Sequence, residues 1–242
     1  MKKEILLELK NLDAKYDTRK ILDDVSMQID EGEIVAVMGP NGAGKSTVLK
    51  SIFGLTTITS GSVIFRSKKI KPKSHEIVLM GICYVPQGRR VFRNLTIEEN
   101  LEIGAYSIND KNEIQRRIDD VMTLFPDLKT KRKDKSSCLS GGQQQMLAVA
   151  RGLMMDPHLL LLDEPTLGLS PKYVKLMFDK IKEISIKRKI AVVIVEHNIK
   201  SLLGIVDRAY VLSNGKVVIE DTAENLLNSD KLEKVFLGTY TN

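Results

Sequence analysis

Three apolar runs, Ile34-Val-Ala-Val-Met38, Leu159-Leu-Leu-Leu162 and Ile190-Ala-Val-Val-Ile-Val195, stand out from a chain that is otherwise mixed in polarity. Runs this short and this continuous fit strands covered on both faces, the mark of a parallel sheet. Helical patterns follow them: one helix begins over Val48 to Phe53, and Val174, Phe178, Ile181 and Ile184 form the apolar stripe of another. Residues 5–37 read differently, as short strands divided by turn signals. Ile5-Leu-Leu-Glu-Leu9 opens that stretch, and Asp30-Glu-Gly-Glu33 links Val25-Ser-Met-Gln-Ile29 to Ile34-Val-Ala-Val37. Ser60-Gly61 and Asn214-Gly215 are hairpin signals, the second flanked by Ala209-Tyr-Val-Leu212 and Lys216-Val-Val-Ile219.

Between about Gly88 and Met155 the period changes. Thr96 and Glu99 form a capping box that opens a helix through Leu101. Ile114, Ile118, Val121, Met122 and Phe125 recur at helical intervals until Pro126 removes a backbone donor and ends the run. The pattern predicts an α/β core, residues 1–87 and 156–242, with an antiparallel β part and an all-helical insert over residues 88–155.

Composition narrows the classes. With 43% hydrophobic residues among 242 the chain is not disordered, and no apolar run approaches the roughly 20 residues of a membrane-spanning helix. The start, MKKEILLELK, has no continuous apolar segment or small-residue cleavage site, so a cytoplasmic chain is expected. The net charge of +6 comes from scattered lysines with 5% aromatics and no Trp, which reads as a solvated surface, and no nucleic-acid partner is expected. Cys83 and Cys138 lack metal-ligand spacing and read as reduced thiols, and His75 and His158 as surface residues.

The chemistry begins after the first apolar run. Gly39, Pro40, Asn41, Gly42, Ala43, Gly44, Lys45, Ser46 and Thr47 fit G-x-x-x-x-G-K-[ST] between a strand and a helix, the context that pattern requires. Glycines let backbone N–H groups converge on phosphate oxygens, and a helix N-terminus adds partial positive charge. Lys45 is placed to reach the outer phosphates, and the Ser46 hydroxyl to bind Mg²⁺. A P-loop NTPase core binding ATP is therefore expected. Leu159-Leu-Leu-Leu-Asp163-Glu164-Pro165 supplies the carboxylates at the end of a second buried strand. Asp163 is expected to bind Mg²⁺, directly or through water, and Glu164 to act on the attacking water as a base or a positioning group. Alone, such a pair is a solvated turn; beside the Lys45 loop it completes a catalytic site.

A second helix start poses a puzzle. In Cys138-Leu-Ser-Gly-Gly-Gln-Gln-Gln-Met-Leu147, Ser140 and Gln143 form a capping box, yet Gly141 and Gly142 occupy its first turn. Each glycine costs about 1 kcal/mol relative to alanine in a helix interior. Without a Cβ they would let a phosphate approach uncovered N–H groups. One chain thus carries one lysine-bearing cradle and two candidate phosphate-binding termini, which is resolved if Ser140 and Gly142 contact nucleotide on another subunit.

The LSGGQ segment resembles the signature of the ATP-binding cassette family, and together with the two motifs above the resemblance covers essentially the whole chain. It implies an ATPase whose Ser140, Gly141, Gly142 and Gln143 close on the γ-phosphate across a head-to-tail pair. It further implies that Tyr16 stacks on adenine, that Gln87 links Mg²⁺ and water to the helical insert, and that His197 contacts the γ-phosphate. Lys45, Gln87, Glu164 and His197 are then the catalytic set, and Ser46, Gln87 and Asp163 the Mg²⁺ set. Implied partners are transmembrane permease subunits, a second ATPase subunit that is identical or related, and indirectly an external solute-binding protein, with the chain peripheral on the inner face of the membrane.

A narrower resemblance rests on Gly88-Arg-Arg-Val-Phe92, Leu95-Thr-Ile-Glu-Glu-Asn-Leu101, Leu167-Gly-Leu-Ser-Pro171 and Leu232-Glu-Lys-Val-Phe-Leu-Gly238. These are similar to ATPase subunits of branched-chain amino-acid importers, while urea and lipopolysaccharide transport ATPases share parts of the pattern. Those importers commonly carry Glu at Gln87 and Gln at His197, and the wider family Asp at Ser170. Phe92 is expected either to line a permease-docking groove or to lie in the core. A soluble switch on DNA or ribosomes would show paired cassettes or a coiled coil, and a P-loop kinase leaves LSGGQ without a purpose.

Overall fold

The computed structural model describes residues 4–238, so Lys2 and Lys3 at the basic start lie outside the described residues. The chain opens with β1 (Ile5–Tyr16) and β2 (Arg19–Asp30), paired antiparallel along their length. Both run well past the stretches that alternation predicted. The cause is bulging: Asn11 and Asp24 take left-handed φ of 47° and 57°, and Asn11 Nδ2 donates to Asp24 Oδ1 at 2.7 Å. Polar residues at such irregularities interrupt the period of two without ending the strand.

Next come β3 (Ile34–Met38), α1 (Lys45–Ile52) and β4 (Thr57–Phe65). Ser60-Gly61, expected at a hairpin turn, lies inside β4 instead. Gly61 has φ 81°, the β1–β4 register shifts beside it, and an added Cβ would collide with the Asn11 carbonyl. This glycine marks a bulge where two backbones approach, which looks the same as a turn signal in the sequence. β5 (Lys68–Ile70), α2 (Ser74–Leu79) and β6 (Ile82–Val85) follow.

From there to Met155 the named elements are helical: α3 (Ile97–Gly104), α4 (Lys111–Leu124), α5 (Pro126–Lys129) and α6 (Gly141–Gly152). Thr96 and Glu99 make the reciprocal capping box at the start of α3. Pro126 closes the α4 pattern as expected and also opens α5 at its first position, where a missing N–H costs nothing. The chain then alternates again through β7 (Leu159–Asp163), α7 (Pro171–Arg188), β8 (Ala191–Val195), α8 (Ile199–Leu203), β9 (Arg208–Ser213), β10 (Lys216–Thr222), α9 (Ala223–Leu227) and α10 (Lys231–Phe236). Asn214 and Gly215, with φ of 48° and 80°, form the two-residue turn that the sequence signalled.

Two sheets result. One is antiparallel, in the order β2-β1-β4-β5; the other has six strands, β10-β9-β3-β8-β7-β6, parallel except for β10. Every residue of β3, β7 and β8 is buried, which explains their uninterrupted apolar runs. Alternate residues serve two cores. Ala36, Leu160, Leu162 and Ile194 face the helices with Leu101, Ile118 and Leu147, whereas Val35, Leu161 and Val193 face α1 and the antiparallel sheet with Leu9 and Leu49. Each fully buried leucine contributes roughly 1.5–3 kcal/mol, so these strands are firmly held. Because β3, β7 and β8 are parallel neighbours, the residues after them emerge along one edge. The loop after Met38, Glu164 and His197 all lie along that edge. Among the described residues no helix is long and apolar enough to cross a membrane.

Candidate active site

The loop after β3 turns through Gly39, Gly42 and Gly44, with φ of 141°, 81° and 100°, into α1. No side chain caps α1 and no acidic residue stands in its first turn, so its leading N–H groups keep their positive end free of competition. Lys45 is buried, with Nζ donating to the carbonyls of Gly39 and Pro40 at 2.9 and 3.0 Å. Burial lowers its pKa from the ordinary lysine value, an effect opposed by Glu164 and Asp163. The cleft beside this loop is lined by Asn41, Gly42, Gly44, Lys45, Ser46 and Thr47 together with Arg19, Ile21, Glu164 and His197. Tyr16, at the end of β1, is 37% exposed in the hairpin that also brings Arg19 to the cleft.

Asp163 and Glu164 leave β7 with different tasks. Asp163 is buried; Oδ1 accepts from Ser46 Oγ at 2.7 Å, and Oδ2 from the Tyr84 hydroxyl at 2.8 Å. Burial and then the Asp163 charge push the Tyr84 phenol far above its usual range, so it stays a donor. Glu164 takes a left-handed φ of 48°, a strain of roughly 1–3 kcal/mol for a non-glycine residue, and its N–H donates to Val195 O at 2.9 Å. That turn aims the carboxylate along the sheet edge. Gln87 Nε2 donates to Oε2 at 2.6 Å, and His197 Nε2 lies 3.0 Å from Oε1. Both oxygens of the carboxylate are thereby held, one from after β6 and one from after β8.

The pair Ser46 Oγ and Asp163 Oδ1 suits Mg²⁺, a hard ion that takes oxygen donors and usually keeps few protein ligands beside water and phosphate. Among the described residues no group of three or more His, Cys, Asp or Glu side chains is gathered to hold a metal alone. The open start of α1, the glycine-shaped loop and the cation of Lys45 fit a nucleotide phosphate chain.

Residues 140–143 are elsewhere: none of them lines the cleft that α1 and Glu164 share. Ser140 Oγ accepts from Gln143 N at 3.3 Å and Ser140 N donates to Gln143 Oε1 at 3.1 Å, so the capping box is made within the chain. The N–H groups at this end are therefore less bare than the sequence suggested. Gly141 and Gly142 also have neighbours of their own chain: an added Cβ would lie within 3.0 Å of guanidinium atoms of Arg89 and within 2.7 Å of ring carbons of Tyr173, respectively.

Several supporting residues were not found from sequence. Glu196 is buried, and its Oε1 accepts from both the N–H and the hydroxyl of Thr166 while Oε2 accepts from His197 N at 3.0 Å. It ties the loop after Glu164 to the loop of His197. Its one signal was its place between a buried strand and His197. Arg89 Nη2 donates to Gly168 O at 2.8 Å, joining the chain after Gln87 to the chain after Glu164. Ser170 caps α7 through its backbone position and makes no side-chain cap bond. Phe92 is exposed and therefore not a core residue; it lines a groove with Tyr106 and Ile103, under the Arg151 guanidinium at 5.1 Å. The buried Asn100 fixes that loop, accepting from Phe92 N at 2.8 Å and donating to Phe92 O at 3.0 Å. Cys83 is buried, Cys138 exposed, and both are free thiols; His75 and His158 are exposed.

Comparison with known proteins follows the same lines. The ABC transporter family pattern matches residues 22–167. The chain is 44% identical to a probable branched-chain amino acid transport ATP-binding protein, LivF, of Archaeoglobus fulgidus, over 96% of this chain and 99% of that one. It is 41% identical to the high-affinity branched-chain amino acid transport ATP-binding protein BraG of Pseudomonas aeruginosa, over 96% and 100%. Among solved structures, an ATP-binding cassette of an ABC transporter in its ADP conformation superposes with a TM-score of 0.87 at 27% identity, over 97% of this chain and 99% of that one. A dimeric cassette in a post-hydrolysis state, bound to ADP and Pi, gives 0.79 at 29% identity, over 90% and 99%.

Proposed function

The chain belongs to the ABC transporter family as an ATP-hydrolysing subunit, and from that premise we propose that it drives branched-chain amino-acid transport as one of two facing ATPase subunits. The solute follows from the two relatives named for that transport, each matched along nearly its full length. Two observations support the pairing: none of the residues lining the cleft of α1 comes from the α6 start, and a related cassette is dimeric after hydrolysis.

In this reading ATP lies against the loop 39–47, with Lys45 leaving the Gly39 and Pro40 carbonyls for the outer phosphates and Tyr16 stacking on the base. Ser46, Asp163 and Gln87 would hold Mg²⁺, which when bound would neutralise charge on the phosphate oxygens. Residues Ser140 to Gln143 of the facing subunit close the open side. ATP favours the closed pair by the difference in its affinity for the two arrangements. Water then attacks the γ-phosphorus, the bond to the leaving ADP oxygen breaks, and Glu164 receives the hydrogen bond or proton of the water. His197 would contact the γ-phosphate, and Gln87 would link the ion and the water to the helical segment.

Gln87 passes the change to the helical segment, proposed as a subdomain over residues 88–155 within a core of 1–87 and 156–242. The groove of Phe92, Tyr106 and Ile103, with its exposed aromatic side chains, supports the reading that a membrane-embedded permease docks there, with the subunit at the inner face of the membrane.

The observation that carries this reading is the Glu164 carboxylate, held on both oxygens beside the phosphate loop. The test is Glu164→Gln. Loss of a positioned base is expected to slow hydrolysis by about 10²–10⁴-fold, with ATP binding retained and an ATP-held dimer accumulating. Unchanged turnover in that variant would remove Glu164 from the reaction.

A further inference from the structure

Gly142 does not need to be glycine for its backbone. It sits in the first turn of α6, is not among the residues with positive φ, and is itself buried. What excludes a side chain is space, and the space is taken by Tyr173 of the same chain, whose ring carbons would lie within 2.7 Å of an added Cβ. The Tyr173 hydroxyl reaches the Ser140 hydroxyl at 3.5 Å, so one side chain touches both ends of the Ser140–Gly142 turn. Tyr173 stands in the first turn of α7, half-buried.

We propose that Tyr173 is a positioning residue for the Ser140–Gly142 turn, its ring acting as a wedge that fixes how far this turn projects toward the nucleotide of the facing subunit. The inference rests on the facing-pair reading above and deepens it. Through Tyr173 the turn is anchored to α7, and α7 continues from the segment that leaves Glu164. That segment is itself fastened, at Thr166 by the Glu196 carboxylate and at Gly168 by Arg89. The turn offered to the neighbour's phosphate is thus braced against the chain that carries this subunit's own catalytic carboxylate. A displacement of about 1 Å at such a contact can cost about a hundredfold, so the wedge acts on closure without touching nucleotide.

This account competes with one in which Gly142 is small only to admit phosphate, and a pair of substitutions separates them. All variants are made in the Glu164→Gln background and scored by sedimentation for ATP-driven dimerisation. Binding to the single subunit, measured at high dilution, serves as the check that the cradle is folded. Tyr173→Ala is expected to raise the ATP needed for half-maximal dimerisation at least tenfold, with single-subunit binding within twofold of the parent. Tyr173→Phe keeps the ring and is expected to stay within threefold. Gly142→Ala should lose dimerisation, and Gly142→Ala with Tyr173→Ala should recover it at least tenfold relative to Gly142→Ala alone. Tyr173→Ala dimerising like the parent, or a double variant no better than Gly142→Ala, would overturn the proposal while leaving the facing pair intact. A parent that stays monomeric in saturating ATP would overturn the facing pair and this inference with it.

Discussion

The starts of α1 and α6 are built on one physical device and surrounded differently. Both are helix N-termini introduced by glycines, and both present N–H groups that no helical carbonyl can satisfy. At α1 there is no side-chain cap, the Lys45 amine rests on the Gly39 and Pro40 carbonyls, Asp163 accepts from the Ser46 hydroxyl, and Glu164 lines the same cleft. At α6 the chain has already drawn in its own groups, with Ser140 and Gln143 capping each other and Arg89 and Tyr173 packed on Gly141 and Gly142. The first terminus gathers a lysine, a hydroxyl and two carboxylates from one chain. The second is a turn braced by side chains of its own subunit, which suits the covering role proposed above.

If that contrast is right, damage at the two termini must differ in kind. Lys45→Ala has the largest expected effect, because it removes a buried cation from the phosphate path. Loss of charge-assisted hydrogen bonds of about 3 kcal/mol lowers ATP affinity by about a hundredfold, and turnover falls to background, both measurable by titration and phosphate release. Ser140→Arg acts at the other terminus and is expected to leave single-subunit ATP affinity within about twofold while turnover drops by about a hundredfold, since closure is obstructed. Equal loss of ATP affinity in the two variants would erase the distinction between a cradle and a cover.

The sequence made the first terminus far easier to read than the second. Lys45 and its glycines, and Asp163 and Glu164 after a fully apolar strand, are local patterns whose chemistry is written in consecutive residues. The capping boxes at Thr96 and Ser140 span only four positions and form as read. Legibility fails where a contact joins distant positions. Tyr173 meets Gly142 from 31 residues away, and Tyr84 reaches Asp163 from a separation of 79. Neither has a local signature. Glu196 has no local signature beyond its place before His197; its burial and its bond from Thr166, 30 residues away, are visible only in the fold. Gly61 was misleading for a related reason, because a glycine that relieves a clash between two backbones in a bulge has the same neighbours in sequence as one that turns a corner. The glycines of α6 combine both problems: the sequence shows that side chains are excluded there, and only the packed structure shows by what.

The central claim is that one subunit holds nucleotide on one side and needs a second to enclose it. Its most direct test is the rate of ATP hydrolysis per subunit across a wide range of protein concentration at saturating ATP. The account predicts a specific rate that climbs with concentration and vanishes at dilutions where sedimentation shows only monomer. A specific rate that stays constant into the strictly monomeric range would contradict it.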